Sequence, residues 1–298
     1  MNAAHDMPFE VWSEAALARV EALLDDWVPA DAPAGLGEAM RYAVLGGGKR
    51  LRPLLVLATS EAVSGQTEAA GRAAVAVELI HAYSLVHDDM PCMDNDVLRR
   101  GKPTVHVAFG EAQAMLAGDA MQALAFDVLT PDHGVAPALQ ARLCQLLARA
   151  AGHAGMAGGQ AIDLAAIGKP MSERQLCDMH ERKTGLLLRA SVLMGAACGH
   201  TDARAEAALR VYGSAIGLAF QVVDDILDVT QDSETLGKTA GKDEEAGKPT
   251  FVSLMGLEAS RQYAARLRDE ALAALDGAPQ LRSQRLRELA DRVVARDN

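Results

Sequence analysis

The chain has few cysteines, few aromatic residues and almost no strict alternation of apolar and polar residues. Alternation is typical of half-buried β-strands, so its scarcity argues against a fold built on sheets. The four cysteines form no CxxC pair and no His/Cys zinc spacing. They are Cys92, Cys144, Cys177 and Cys198. We therefore expect free thiols in a reducing compartment rather than a disulfide framework or a zinc site.

Long apolar runs and an excess of basic residues are also missing. No stretch approaches the ~18 uninterrupted apolar residues that a membrane span needs. The first residues, MNAAHDMPFEVW, lack the cationic and apolar regions of a signal peptide. A net charge of −11 argues against a general nucleic-acid binder, but a local cationic pocket can still hold a small anion. We expect a cytoplasmic protein without stable membrane insertion.

Apolar residues make up 50% of the chain and recur at helical spacing along most of its length. The pattern predicts one all-α domain of residues 1–298 with about ten helices. The predicted helices span residues 9–27, 36–46, 51–64, 68–90, 106–130, 136–166, 172–199, 203–230, 250–275 and 279–296. Two long apolar helices each lead into an Asp-Asp motif, which suggests two walls of one cavity.

The first of these motifs lies in HDDMPCMDNDVLRRGKPT, residues 87–104. Asp88 and Asp94 are six residues apart and would lie on different faces of an ideal helix. Pro91 disfavours helical geometry, so we expect the helix to end or distort there and Asp94 to fold back toward Asp88. Carboxylates at a helix C-terminus are unfavourable unless a cation is present.

The second motif, FQVVDDILD, places Asp224 and Asp228 four residues apart on one helix face. All candidate ligands are oxygens, which suits Mg²⁺ first and Mn²⁺ second. An EF-hand is excluded because its glycine and distal glutamate are absent. The alternative reading, a solvated acidic helix end, fits one such motif better than two that lie beside cationic segments.

Besides the cluster of Arg99 and Arg100, three cationic segments accompany the acidic motifs: GGGKRLRP, ERKTG and GKTAGKDEEAGKP. The first is not a P-loop, because Lys49 is followed by Arg50 rather than Ser or Thr. Its glycines let the backbone approach an anion, and arginine forks match phosphate oxygens. The third segment has glycine hinges that could close it over a ligand. Each segment alone fits a solvated surface patch, but together they indicate two polyanionic ligands.

The chain resembles the trans-polyprenyl diphosphate synthases, and it looks most like their bacterial farnesyl diphosphate synthase branch. The resemblance rests on GGGKRLRP, ELIHAYSLVHDDMPCMDNDVLRRGKPT, GMAGGQAIDL, KTG, FQVVDDILD and GKTAGKD…KPT, which occur in the family's order. It implies helices around a deep central cavity, usually in a homodimer. It also implies head-to-tail prenyl transfer, in which isopentenyl diphosphate adds to an allylic diphosphate with Mg²⁺.

The resemblance also implies roles for individual residues. The metal ligands and their supporting carboxylates would be Asp88, Asp89, Asp94, Asp224, Asp225 and Asp228. Isopentenyl diphosphate would be held by Lys49, Arg52, His81 and Arg100. The allylic diphosphate would be held by Arg99 and Lys248 and by the catalytic group Lys183, Thr184, Gln221 and Lys238. Gln160 and Asp163 are weaker candidates for supporting positions, and the released diphosphate would be the base.

Product length should depend on the floor of the cavity. Tyr83 and Ser84 precede Asp88 by five and four residues, just over one helical turn deeper. The family's farnesyl synthases carry an aromatic residue at the position of Tyr83, so the resemblance implies a C15 product. Geranylgeranyl synthesis is the alternative, because plant-type enzymes share the DDxxxxD spacing. A non-catalytic subunit and a terpene cyclase are less favoured, since DDILD is intact and the isopentenyl site is complete.

Overall fold

The computed structural model describes residues 7–231 and 248–296. In the first half of the chain the helices are α1 Phe9–Trp27, α2 Leu36–Val44, α3 Leu51–Ala62, α4 Thr67–Asp88, α5 Val105–Phe109 and α6 Glu111–Leu129. In the second half they are α7 Pro137–Ala151, α8 Met156–Ala166, α9 Glu173–His180, α10 Leu186–Ala197, α11 Ala203–Thr230, α12 Phe251–Met255, α13 Leu257–Asp276 and α14 Gln284–Val294. A 3₁₀ turn, Pro33–Gly35, precedes α2.

The all-α prediction is confirmed, and the bounds of α1 and α11 agree with those predicted. The predicted helices 106–130 and 250–275 are each divided by one glycine. Gly110 and Gly256 have φ of 88° and 84°, which a residue with a side chain rarely adopts, so each ends one helix and starts another. The predicted helix 136–166 is also wrong as a single element, because residues 152–155 interrupt it.

One short hairpin was not predicted. Its strands, β1 Leu98–Arg99 and β2 Lys102–Pro103, pair antiparallel. The two residues between them, Arg100 and Gly101, have φ of 52° and 73°, as in the two-residue turns that suit the twist of a hairpin. The hairpin directs Arg99 back toward the end of α4.

Helix α4 runs through the middle of the apolar core and packs against α3, α6 and α10. Its length and composition would allow it to cross a membrane, but 78% of its most apolar 18-residue stretch is buried inside the protein. Small residues occupy much of its surface, and they let neighbouring helices approach closely. Burial within the fold therefore accounts for its apolar character.

Helix α11 forms the second long wall of the core and packs against α10 and α13. A short π-helical segment, Glu181–Gly185, packs against α8 and α11 and joins α9 to α10 without leaving helical geometry. The ERKTG motif therefore sits in a widened turn inside one continuous helix. Such turns are frequent at functional sites because they alter the backbone hydrogen bonding locally.

Candidate active site

The chain folds back on itself directly after α4, in the first acidic segment (Asp88–Asp96). The amide of Asp94 donates to the carbonyl of Asp88 at 2.9 Å, and the amide of Asp96 donates to that of Asp89 at 3.1 Å. Asn95 takes a φ of 51°, a conformation that asparagine tolerates better than most residues. The turn brings Asp94 beside Asp88, as the helix-breaking Pro91 predicted.

Asp89 faces the hairpin and is held there by Arg99. The Arg99 Nε and Nη2 atoms lie 2.8 Å and 2.5 Å from the two carboxylate oxygens of Asp89, a bidentate arrangement. Asp89 is only 2% exposed. Burial raises the pKa of Asp89, and the Arg99 guanidinium opposes that shift. Asp89 therefore positions Arg99 and the hairpin beside the other carboxylates.

Asp88 lines a cavity, and its electrostatic environment differs from that of Asp89. Burial raises its pKa to about 6, with Lys183 opposing the shift and Asp94 adding to it. Asp94 is paired with Lys248, whose Nζ lies 3.0 Å from its carboxylate. Two crowded carboxylates, one of them reluctant to ionise, are the arrangement that a divalent cation would relieve.

The π-helical segment supplies Lys183 and Thr184 to the same space. The Lys183 Nζ lies 2.6 Å from a carboxylate oxygen of Asp163, and the Thr184 hydroxyl donates to the Gln221 side-chain carbonyl at 3.1 Å. Although burial favours a neutral carboxyl group, the lysines keep the pKa of Asp163 below its usual range. Asp163, a weaker candidate in the sequence, thus orients Lys183.

Two glycines allow this segment to pack so closely against its neighbours. A Cβ at Gly159 on α8 would lie 2.2 Å from the amide nitrogen of Lys183. A Cβ at Gly217 on α11 would lie 2.8 Å from the Cα of Gly185. Neither distance is sterically possible, so the GMAGGQAIDL motif owes part of its composition to backbone packing.

The second acidic segment (Asp224–Asp228) lies within α11, and its three aspartates have different surroundings. Asp225 accepts hydrogen bonds from the amide of Phe251 at 2.8 Å and from the Gln221 side chain at 2.9 Å. Asp225 thus fastens the start of α12 to α11. Asp224 accepts from Arg296 Nη2 at 2.9 Å, and Asp228 is 5% exposed.

The arginines that follow the glycine-rich turn, Arg50 and Arg52, differ in their hydrogen bonding. Arg50, at a φ of 47°, donates to Glu21, Glu78 and the carbonyl of Val44 and is fully engaged in the fold. Arg52 is also buried, but its Nε finds no acceptor among the described residues. Burial lowers the pKa of Arg52, and Glu78 partly opposes the shift.

Arg100 and His81 complete this cationic group. The Arg100 Nη1 donates to the carbonyl of Gly47, and a Cβ at Gly48 would lie 2.7 Å from the Arg100 guanidinium carbon. Burial, together with the positive charge of Arg52, holds the pKa of His81 well below its usual range. His81 is therefore neutral at pH 7, and the positive charge around it favours an anion.

One cavity of about 360 Å³ lies beside the end of α4 and the π-helical segment, and neither Asp94, Arg100 nor the second acidic segment lines it. The predicted site residues that line it are Arg52, His81, Tyr83, Ser84, Asp88, Lys183 and Thr184. Apolar residues such as Met156 and Leu164 also line it. The ring of Tyr83 packs edge-on against that of His87, with centroids 5.7 Å apart. The amide group of Gln160 faces this space and has no partner among the described residues.

The described residues contain no cluster of three or more acidic, histidine or cysteine side chains arranged around a single metal position. Mg²⁺ commonly takes only one or two carboxylates and completes its shell with water and substrate phosphate. Asp88, Asp94 and Asp224 offer oxygen donors of this kind, so the donor set suits Mg²⁺ held together with a phosphate ligand. Lys238 lies outside the described residues.

Sequence comparison gives the chain its relatives. The family model described as Polyprenyl synthetase matches residues 33–279. The chain belongs to the polyprenyl synthetase family. Within that family it is 46% identical to a farnesyl diphosphate synthase of Haemophilus influenzae, with 88% of this chain and 89% of that protein covered. It is also 45% identical to a chloroplastic geranylgeranyl pyrophosphate synthase of Capsicum annuum, covering 97% and 79%.

Solved structures give the same family. An FPP/GFPP synthase from Zymomonas mobilis superposes with a TM-score of 0.86 at 43% identity, covering 96% of this chain and 99% of that one. A geranyltransferase from Helicobacter pylori, complexed with magnesium and isoprenyl diphosphate, superposes with a TM-score of 0.84 at 36% identity, covering 97% of each chain. The fold is thus that of the trans-prenyltransferases.

Proposed function

We propose that this trans-prenyltransferase condenses isopentenyl diphosphate with dimethylallyl and then geranyl diphosphate to give (2E,6E)-farnesyl diphosphate. The observation that carries the proposal is the cavity itself. Asp88, Lys183 and Thr184 line it together with apolar side chains, and Tyr83, which also lines it, precedes Asp88 by more than one turn of α4. The charged and polar side chains would suit the diphosphate head of an allylic substrate, and the apolar side chains would suit its short hydrocarbon tail.

We assign Mg²⁺ to the carboxylates Asp88, Asp94 and Asp224, with Mn²⁺ as a substitute. When bound, Mg²⁺ would neutralise the diphosphate that leaves the allylic substrate. The magnesium and isoprenyl diphosphate bound to the Helicobacter pylori relative support this assignment. We assign Asp89 and Asp225 to supporting positions, because each is committed to contacts with Arg99 or Phe251. Asp228, which is 5% exposed, stays with the proposed metal group.

The cations would hold two diphosphates. We assign the allylic diphosphate to Lys183, Thr184, Gln221, Arg99 and Lys248, with Lys238 beyond the described residues. We assign isopentenyl diphosphate to Lys49, Arg52, His81 and Arg100. We assign Arg52 rather than Arg50 to the ligand. The Nε of Arg52 has no acceptor among the described residues, whereas Arg50 is bonded to Glu78 within the fold.

The proposed reaction follows from this arrangement. The allylic carbon–oxygen bond breaks, diphosphate departs, and the allylic cation is left in a cavity from which the apolar wall excludes water. The double bond of isopentenyl diphosphate forms the new carbon–carbon bond, and a proton is then lost from the adjacent carbon. The released diphosphate is the proposed base. The cationic side chains stabilise negative charge as it develops on the leaving group.

Geranylgeranyl diphosphate is the second candidate product. Several relatives at 45–47% identity carry that name, and the Zymomonas mobilis relative is an FPP/GFPP synthase. The position of Tyr83 supports the shorter product, because Tyr83 lines the cavity and its ring would limit the room for a growing tail. The cytoplasmic location and the homodimer are likewise proposals, although relatives from plants are chloroplastic.

The deciding experiment incubates purified protein with dimethylallyl diphosphate, isopentenyl diphosphate and Mg²⁺, and identifies the dephosphorylated products by chromatography. We expect farnesol that disappears when a chelator is added. Geranylgeraniol would support prenyl transfer but overturn the assignment of a C15 product. No product with either dimethylallyl or geranyl diphosphate would overturn the catalytic proposal and favour a non-catalytic subunit.

A further inference from the structure

The guanidinium of Arg296 reaches back from beyond the end of α14 to the second acidic segment. Its Nη2 lies 2.9 Å from a carboxylate oxygen of Asp224, and its guanidinium carbon lies 4.4 Å from the centroid of the Phe220 ring. The arginine therefore occupies an oxygen of a proposed metal ligand. No sequence motif pointed to Arg296, which belongs to none of the segments that carried the resemblance.

The guanidinium of Arg296 makes fewer hydrogen bonds than those of Arg99 and Arg50. Its Nε and Nη1 are buried and find no acceptor among the described residues. Arg99, by contrast, uses two nitrogens on Asp89, and Arg50 uses three nitrogens on three acceptors. A single charge-assisted bond with unsatisfied neighbouring donors is one that a stronger cation can displace.

The charges around Asp224 indicate that Arg296 and a divalent cation would compete for its carboxylate. Lys49 lies close enough that the charges of both Arg296 and Asp224 affect its pKa, which burial and Arg296 lower. A divalent cation on Asp224 would add positive charge to a place that already holds Arg296 and Lys49. Relief of that repulsion requires Arg296 to leave the carboxylate.

We propose that Arg296 is a displaceable counter-ion, which neutralises Asp224 in the metal-free protein and competes with the metal for its carboxylate. The inference rests on the proposed role of Asp224 as a metal ligand. It explains why the metal-free protein tolerates a partly buried carboxylate at this place. It also predicts that the end of the chain after α14 is released when the metal binds.

The test is a titration of the full-length protein with Mn²⁺ alone, in which free Mn²⁺ is counted by electron paramagnetic resonance. The variant Arg296→Met removes the competitor. Arg292→Met is the matched control, because Arg292 lies one helical turn earlier and contacts Glu10 and Phe9 instead. We expect Arg296→Met to bind Mn²⁺ about threefold to tenfold more tightly than Arg292→Met. Equal affinities, weaker binding, or no binding by any of the proteins would overturn the proposal.

A second measurement separates displacement from a general loss of positive charge. Hydrogen exchange of the amides of Ala295 and Arg296 is followed in the unaltered protein with and without Mn²⁺. We expect faster exchange with the metal, because the anchor on Asp224 is lost. Unchanged or slower exchange would contradict displacement. Neither measurement uses substrate, so a failed prenyl-transfer assay would overturn the proposed function without deciding this inference.

Discussion

The two acidic segments contain the same Asp-Asp pair but are built differently. The first follows the end of α4 and depends on a loop that folds back, so that Asp94 returns to Asp88. The second lies within α11, where helical spacing alone relates Asp224 to Asp228. In both pairs one aspartate, Asp89 or Asp225, contacts a neighbouring element of the fold, whereas Asp88 lines the cavity and Asp224 meets Arg296.

The division follows from helix geometry, because consecutive residues on a helix point about 100° apart. Asp89 accepts hydrogen bonds from Arg99, and Asp225 accepts one from the amide of Phe251. Asp94 and Asp224 meet cations from late in the chain, Lys248 and Arg296. An Asp-Asp pair can therefore combine a scaffold function and a ligand function in two adjacent residues.

The largest effect should follow removal of charge from the first segment. We expect Asp88→Asn to lower the rate of prenyl transfer about a hundredfold to a thousandfold, since one stabilising group at the reacting charge is worth that much. The rate is measured with saturating isopentenyl and geranyl diphosphates and Mg²⁺. The same substitution at the exposed Asp127 on α6 is the control and should leave the rate unchanged. A rate within fivefold of the unaltered protein would remove Asp88 from the proposed catalytic group.

The proposed cavity floor belongs to the same helix as the first segment, because Tyr83 and Asp88 both lie on α4. We expect Tyr83→Ala to shift most of the product from C15 to C20 or longer, since the ring no longer limits the tail. Tyr83→Phe keeps the ring and should keep the C15 product. Chromatography of the dephosphorylated products distinguishes them. A C15 product from Tyr83→Ala would show that the floor lies elsewhere.

Much of this comparison could be predicted from the sequence. Apolar periodicity gave the bounds of α11, and the effect of proline on its neighbours predicted the return of Asp94 toward Asp88. The π-helical segment could not be predicted, because Lys183 and Thr184 lie in a run that reads as ordinary helix. The widened turn depends on packing against Gly159, which is distant in sequence.

The partners of individual charges also required the structure. In GGGKRLRP, Arg50 and Arg52 are equivalent by composition, yet only Arg50 is satisfied by Glu21 and Glu78. Both glutamates lie in other helices, so no local pattern could reveal the pairing. Arg296 was missed for the same reason, because its contact with Asp224 joins residues that are 72 positions apart.

The division within the second segment can be tested by separating stability from metal binding. We expect Asp225→Ala to lower the free energy of unfolding by about 1–3 kcal/mol, because the buried amide of Phe251 loses its acceptor. Asp224→Ala should change stability less and weaken Mn²⁺ binding more. Urea unfolding and Mn²⁺ titration of both variants measure the two quantities. If Asp224→Ala proved the more destabilising variant, the assigned roles would be reversed.

The smallest effect concerns the ionisation of Asp88 in the metal-free protein. Burial raises the pKa of Asp88 to about 6, so the neutral carboxyl is favoured below that pH and the carboxylate above it. A metal binds the carboxylate and must displace the proton when the pH is lower. We therefore expect Mn²⁺ affinity to be nearly constant above pH 7 and to fall toward about tenfold per unit below pH 6, provided Asp88 is the limiting group. Carbon-13 NMR of the labelled carboxyl measures the ionisation directly in the absence of metal. A midpoint near the ordinary value of 3.8 would show that Lys183 outweighs burial and the repulsion from Asp94.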